Sequence, residues 1–219
     1  MTSMLFAPGC ALMGHDRALV EKTRCFLQRE YGDVTLHVSC CRSEGEIAPH
    51  TRIVNVCPGC DRRFRDTAKA LRNNSLWELL ADSVTFPFPN YSGVSMAIND
   101  ACPTRGEDRV LRAIRQVLAK MNIALVEPEN SGAHASCCGD SYYGKVPTVQ
   151  VKAMMAKRAA EMPVRDVVVH CVSCIKSMHI GGKRPRFLLD LVFSQDTAIG
   201  TAEPDAWHRE LDDYTAKHM

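Results

Sequence analysis

One junction is written twice in this chain. Val54 to Phe64 reads VNVCPGCDRRF, and Val168 to Met178 reads VVHCVSCIKSM. Each is a β-branched apolar run, then Cys-x-x-Cys, then a basic segment of helical character. A strand that delivers two cysteines to a helix start aims two thiols at one point, and the helix N-terminus favours an anion there. The junctions belong to a larger repeat. Of the 11 cysteines, all but Cys25 follow one order used twice: a single Cys, a vicinal Cys-Cys pair, then Cys-x-x-Cys. The first copy is Cys10, Cys40, Cys41, Cys57 and Cys60. The second is Cys102, Cys137, Cys138, Cys171 and Cys174. Gaps within them are 29 and 15 residues in the first copy, and 34 and 32 in the second. Such repetition marks a duplicated unit. In a reducing compartment, cysteines at this density point to metal or redox chemistry rather than disulfides.

The local pattern repeats with the cysteines. MLFAP (4–8) and SMAIND (95–100) read as short strands running to Cys10 and Cys102. Helical patterns follow at 15–31 and 106–121; in the second, Val110, Ile114, Val117, Leu118 and Met121 share a face. VTLHV (34–38) and IALVE (123–127) read as strands leading toward the Cys-Cys pairs. RIVNV (52–56) and DVVVH (166–170) deliver the chain to Cys-x-x-Cys and a further helix. Strand–helix–strand alternation predicts an α/β fold of two pseudo-symmetric βαβ-type halves. Each half has a small, mainly parallel sheet flanked by helices, with the cysteines at the strand carboxyl ends. The halves differ after the vicinal pair. VPTVQVKAMMAKRAAEM (146–162) is a good helix, whereas RSEGEIAPHTR (42–52) holds no long one, so the first half reads as a trimmed copy whose strand order is left open. The turn-rich PFPNYSG (87–93) divides the first half, 1–90, from the second, 91–194. A tail, 195–219, lies outside the repeat; Trp207, Leu211 and Tyr214 share a helical face, which predicts docking on the body.

Structural zinc takes four ligands, and ordinary iron–sulfur clusters also take four cysteines. Five per half, two of them adjacent, favours a multi-iron centre, with zinc the alternative. SCCGDSYYG (136–144), with Cys102 before it and CVSC (171–174) after it, resembles the CCG cysteine-rich domain. Two such domains in tandem resemble the CCG-bearing subunit of heterodisulfide reductase, over about residues 4–190. The resemblance implies a noncubane 4Fe-4S cluster on Cys102, Cys137, Cys138, Cys171 and Cys174, and another on Cys10, Cys40, Cys41, Cys57 and Cys60. It implies cleavage of a disulfide into two thiols by one-electron steps, hence an oxidoreductase acting on a small thiol or disulfide. The first motif departs from the family pattern, reading Cys40-Cys41-Arg42. Glycine there takes positive φ and lets the backbone come close to the site; arginine removes that freedom and adds charge. The first site is therefore open between a cluster of altered shape, zinc, and no metal. The tandem arrangement also resembles iron–sulfur subunits of lactate, glycolate and glycerol-3-phosphate oxidising systems, which implies an electron-transfer subunit. A zinc- or cluster-bearing interaction or sensor module is the non-enzymatic reading.

Around the cysteines, His170 and Tyr142 are the candidate catalytic residues. His170 is placed to bond a sulfur or donate a proton, or to pack against a neighbouring strand. Tyr142 or Tyr143 is placed to protonate a leaving thiolate, or to fill the core. His134 reads as a loop residue, and Cys25, beside Phe26 and Leu27 in a helix, as core. The basic residues after the two Cys-x-x-Cys pairs, Arg62, Arg63 and Arg65 with Lys176, Lys183 and Arg184, read as a solvated helix face, as cluster counter-charge, or as a site for an acidic substrate or donor protein. No Gly-x-Gly-x-x-Gly, phosphate loop or ferredoxin-type run appears. Electrons are expected from an external ferredoxin-like protein or flavoprotein subunit. A formal net charge of +2 gives no case for nucleic acid. The absence of an apolar run of about 18 residues excludes a membrane-spanning helix. The start, MTSMLFAPGCALMGHD, has no signal-peptide pattern, so a cytoplasmic location is expected. An oligomer remains compatible with the sequence.

Overall fold

The computed structural model describes residues 4–38, 47, 51–67 and 72–218. The first half runs β1 (Met4–Ala7), α1 (Cys10–His15), α2 (Arg17–Tyr31), β2 (Val34–Leu36), β3 (Arg52–Asn55), α3 (Pro58–Thr67), β4 (Arg72–Ser75) and α4 (Leu76–Asp82). The second runs β5 (Ser95–Asn99), α5 (Asp108–Lys120), β6 (Ala124–Val126), α6 (Thr148–Ala160), β7 (Asp166–Val169), α7 (Val172–Ile180), β8 (Arg184–Phe187) and α8 (Leu188–Val192). The tail forms α9 (Pro204–Lys217). The strand order is β2-β1-β3-β4 in one sheet and β6-β5-β7-β8 in the other, and every pairing is parallel. The first half thus keeps the strand order of the second. Its trimmed connection falls largely outside the described residues.

Parallel strands covered on both faces are apolar along their length. Ile53 and Val54 of β3, and Val167, Val168 and Val169 of β7, are fully buried. Two of the four edge strands, β4 and β8, break that rule, and no strand was expected at either. β4 is Arg-Asn-Asn-Ser, held by side-chain amides: Asn55 Nδ2 donates to Asn73 Oδ1 at 2.7 Å, and Arg52 Nε donates to Asn74 Oδ1 at 3.0 Å. β8 is Arg-Pro-Arg-Phe, and an edge strand tolerates its Pro185. Helix starts are capped locally. The Leu19 N–H donates to Asp16 Oδ1 at 2.9 Å at the start of α2, and the Ser75 N–H to Glu78 Oε2 at 3.1 Å at that of α4.

One hydrophobic core runs through both halves. Its weld is α4 against α5. Trp77 of α4, 1% exposed, lines the same internal seam as Val56 of the first half and Val110 and His170 of the second. Lys120 closes the C-terminal end of α4 by donating to Ala81 O at 2.6 Å and Ser83 O at 2.8 Å. Arg65–Glu107 (3.2 Å) and Arg109–Glu78 (3.1 Å) cross the seam as ion pairs. The tail docks on the body as its apolar face predicts: Trp207 is buried, and Leu211 and Tyr214 pack against the core. No helix among the described residues is long and apolar enough to cross a membrane.

Replacing Trp77 with alanine is expected to cost about 3–5 kcal/mol. The seam makes the halves one cooperative unit. In urea, Trp207 fluorescence and far-UV circular dichroism of the variant should therefore shift to one common lower midpoint; two separated transitions would disprove the weld.

Candidate metal and redox site

Every first-in-order and Cys-x-x-Cys cysteine stands where a strand gives way to a helix. Cys10 opens α1 and Cys57 immediately precedes α3, whose first turn carries Cys60. Cys102 opens a 3-10 turn just past β5, Cys171 caps α7, and Cys174 lies in the first turn of α7. Cys137 and Cys138 lie in the loop between two 3-10 turns, Gly132–His134 and Asp140–Tyr142. Cys40 and Cys41 lie outside the described residues.

In the second half all five sulfurs meet. The Cys102 Sγ lies 3.8 Å from Cys137 Sγ. Cys138 bonds both Cys137 and Cys174, and Cys174 bonds Cys171. None of the five is in a disulfide. They form a contiguous row, Cys102–Cys137–Cys138–Cys174–Cys171. Among the described residues no three or more His, Cys, Asp or Glu side chains are gathered as a ready cage for one metal ion.

The row shares its protons unequally. Hydrogen bonds from Cys102 and Cys138, helped by Ser141 Oγ at 3.0 Å and the Gly139 N–H at 3.4 Å, hold Cys137 far below the usual thiol range. Its bond to Cys137 drives Cys102 far up, and the same cause pushes Cys138 up to about 12. Cys174 is raised by its bonds to Cys138 and Cys171 and by burial.

In the first half Cys10, Cys57 and Cys60 line one cleft, and Cys57 and Cys60 press on the turn before Cys10. Gly9 precedes Cys10 with φ +87, and a β-carbon there would fall 2.9 Å from Cys57 Cβ and 3.2 Å from Cys60 Sγ. Only glycine allows that approach.

Buried polar side chains pin the segments of the second site. Asp100 follows β5, one residue from the turn that begins at Cys102. Arg115 of α5 grips it through Nη1 at 2.9 Å and Nη2 at 2.7 Å, and the Gly132 N–H donates to it at 2.7 Å. Burial alone would raise the Asp100 carboxyl, but Arg115 holds it below the usual range. Arg105 Nε donates to Ala135 O at 2.7 Å. Arg158, 1% exposed, ties Asn99 at 2.9 Å to Asn130 O at 3.0 Å. Together they lash the loop before Cys137 to the end of β5.

His170 takes a similar part. Its Nε2 accepts the Ala101 N–H at 3.0 Å, so the ends of β5 and β7 are joined beside Cys102 and Cys171. The ring is 1% exposed, its Nδ1 has no partner among the described residues, and burial lowers its pKa to about 4. Gly139 has the positive φ expected of it, +98, but the close approach is to another element. A β-carbon there would lie 2.9 Å from both Met155 N and Cγ of α6.

A cleft of about 510 Å³ connects the halves. Cys10, Cys57, Cys60, Arg62 and Arg63 line one side, Asp140 and Ser173 of the second site another, and His208, Leu211 and Asp212 of α9 a third. Of the remaining sequence-nominated residues, Tyr142 is 41% exposed and does not fill the core. Tyr143 stacks on His208, with ring centres 3.8 Å apart. His134 is an exposed turn residue. Cys25 is a correction: it is exposed, because the buried stripe of α2 runs through Leu19, Val20, Thr23, Phe26 and Leu27 and leaves position 25 outside. Sequence reasoning missed Asp100, Arg115, Arg158, Asp140 and His208. Their partners lie far away in the chain, and nothing local announces them.

No family model and no curated protein matches the chain. Among solved structures, Picrophilus torridus aspartate racemase aligns over 100% of both chains at 11% identity with a TM-score of 0.32. A likeness that slight carries neither fold nor function.

Two outcomes follow from the pinning. Gly139→Ala should lose roughly 2–3 kcal/mol, because positive φ is strained for alanine and the α6 backbone cannot yield. Chemical denaturation checks it. His170 is held neutral when folded but is protonated below about pH 6.5 when unfolded. The unfolded state then binds the extra proton, so stability is full above pH 6.5 and falls as pH drops toward 4. The loss is about 3 kcal/mol. Urea midpoints against pH should show it, and His170→Gln should flatten that part of the curve.

Proposed function

We propose that this chain is an iron–sulfur redox protein. Its second half holds a noncubane 4Fe-4S cluster on Cys102, Cys137, Cys138, Cys171 and Cys174, and it interconverts a small disulfide and two thiols. The observation that carries this reading is the contiguous row of five sulfurs, free of disulfides, at the carboxyl edge of a parallel sheet. A row of donors suits a group with several metal centres better than it suits one tetrahedral ion. When bound, the cluster supplies one-electron transfer and an iron position open to sulfur.

The chain's residues do the remainder. The cysteines hold the metal and do not attack as free nucleophiles. Asp100, Arg115, Arg105 and Arg158 fix the sulfur-bearing segments before any ligand arrives, which is the preorganisation such a site needs. His170, buried and neutral, orients the two strand ends. Tyr142 is the nominated acid that solvent reaches, placed on the turn after the Cys-Cys-Gly. The cleft is large enough for a small molecule and borders both cysteine sets. The balance is one disulfide, two electrons and two protons to two thiols. The electrons come from an external ferredoxin-like or flavin protein. At the first site, Cys10, Cys57 and Cys60 would contribute to a second cluster or to zinc.

Anaerobic purification with metal and acid-labile sulfide analysis tests this. Roughly four irons per chain are expected for one cluster and roughly eight for two. Cys138→Ser should empty the second site, while Cys25→Ser, on the outer face of α2, should change nothing. A colourless preparation holding zinc alone would overturn the redox reading. With iron present, turnover of a small disulfide by an artificial donor separates a reductase from an electron-transfer subunit.

A further inference from the structure

Asp140 stands two residues after Cys138, and Lys176 two residues after Cys174. Lys176 is 2% exposed, its ammonium makes no regular hydrogen bond among the described residues, and it lies 2.5 Å from Asp140 Oδ1 as an ion pair. The pair joins the Cys-Cys-Gly loop to the helix that carries Cys-x-x-Cys. Helix α9 roofs it. The Trp207 ring centre sits 5.1 Å from Lys176 Nζ, and Trp207 Nε1 donates to Ser173 Oγ, between Cys171 and Cys174, at 3.3 Å. His208 Nε2 lies 3.0 Å from Asp140 Oδ1, on the loop side. One turn of the tail thus touches both cysteine-bearing segments. The repeat provides a contrast: Arg62 is the counterpart of Lys176 in the first half, and it stands exposed in the cleft.

We propose that Lys176, paired with Asp140 and roofed by Trp207 and His208, is a positioning residue of the second cysteine site. It clamps the Cys-Cys-Gly loop to α7 and places its ammonium beside the sulfur row. The clamp stands on the geometry alone, and the counter-charge role rests on the metal reading above. A buried lysine makes no favourable contact as an isolated ion, and its desolvation is offset only by a tightly held partner. The partner here belongs to the loop that delivers two of the five sulfurs. Groups placed this way behind metal ligands typically change metal affinity 10- to 100-fold when removed.

The test uses the full chain with Lys176→Met and Lys176→Arg. In the iron-loaded protein, Lys176→Met is expected to release iron to a chelator about tenfold faster. Its midpoint potential should fall, since a cation that favours the reduced, more negative state is gone. Lys176→Arg should restore most of both. In metal-free protein, Lys176→Met should lose hydrogen-exchange protection over residues 136–144, while proteolysis of the 195–203 segment stays slow. The reverse pattern, unchanged metal release and protection with rapid cutting at 195–203, would show that Lys176 only anchors the tail and would overturn the proposal. Failure of the arginine rescue would also overturn it. If no iron binds at all, the proposed function fails by itself, and the exchange measurement still decides the clamp. Should Lys176→Met fail to fold, Asp140→Asn replaces it, with the same loss of protection over 136–144 expected; unchanged protection there would sink the clamp.

Discussion

Sulfur anions packed side by side repel, and the second half brings five sulfurs into one row. Two unit charges about 4 Å apart repel by roughly 4 kcal/mol at an effective dielectric near 20. Four neighbouring contacts in a row of five would together rival the whole stability of a domain, about 5–15 kcal/mol. Without added cations such a row favours keeping most of its protons, and its hydrogen bonds push the thiols apart: Cys137 is held low while Cys102, Cys138 and Cys174 are driven up. Full ionisation needs positive charge among the sulfurs. Among the described residues, Lys176 and the N-terminal end of α7 stand on the positive side of that balance.

Holding such a row in place before it is neutralised requires a frame that does not depend on the thiols. Parallel topology supplies the coarse part, because strands that all run one way end on one edge and their helix junctions gather there. The fine part is polar and buried. Asp100 with Arg115, Arg158 with Asn99, and His170 with the Ala101 N–H are satisfied across elements rather than within them. Each leaves a costly orphan if its partner is lost. The site is thus over-determined by interactions that never touch the sulfurs.

This division explains what the sequence disclosed. The doubled cysteine order and the apolar β-branched runs are local signals, and they foretold six strands and the parallel α/β class. β4 and β8 escaped notice because edge strands need no apolar alternation. Arg-Asn-Asn-Ser is held by an amide network whose members, Asn55 and Asp61, lie well upstream. Cys25 misled because its neighbours Phe26 and Leu27 are core while its own angular position on α2 faces out. The polar frame was illegible for a deeper reason: an arginine on a helix looks the same whether it meets water or a buried aspartate fifteen residues upstream.

The tail supplies the last step. Both halves carry a basic residue two places after Cys-x-x-Cys, but only the second has it roofed by α9. Burial there strengthens the Lys176–Asp140 attraction, because water no longer screens it, and the same roof narrows the approach to Ser173 and the loop after Cys138. Arg62 lacks that cover and keeps its charge at the surface of the cleft. The halves share one plan, but α9 buries the basic residue that follows Cys-x-x-Cys in the second half alone. Two like charges in unlike dielectric surroundings cannot act equally on the thiols beside them. The pseudo-symmetric fold therefore sets like cysteine turns in unlike electrostatic surroundings, with an exposed arginine after one and a buried, ion-paired lysine after the other.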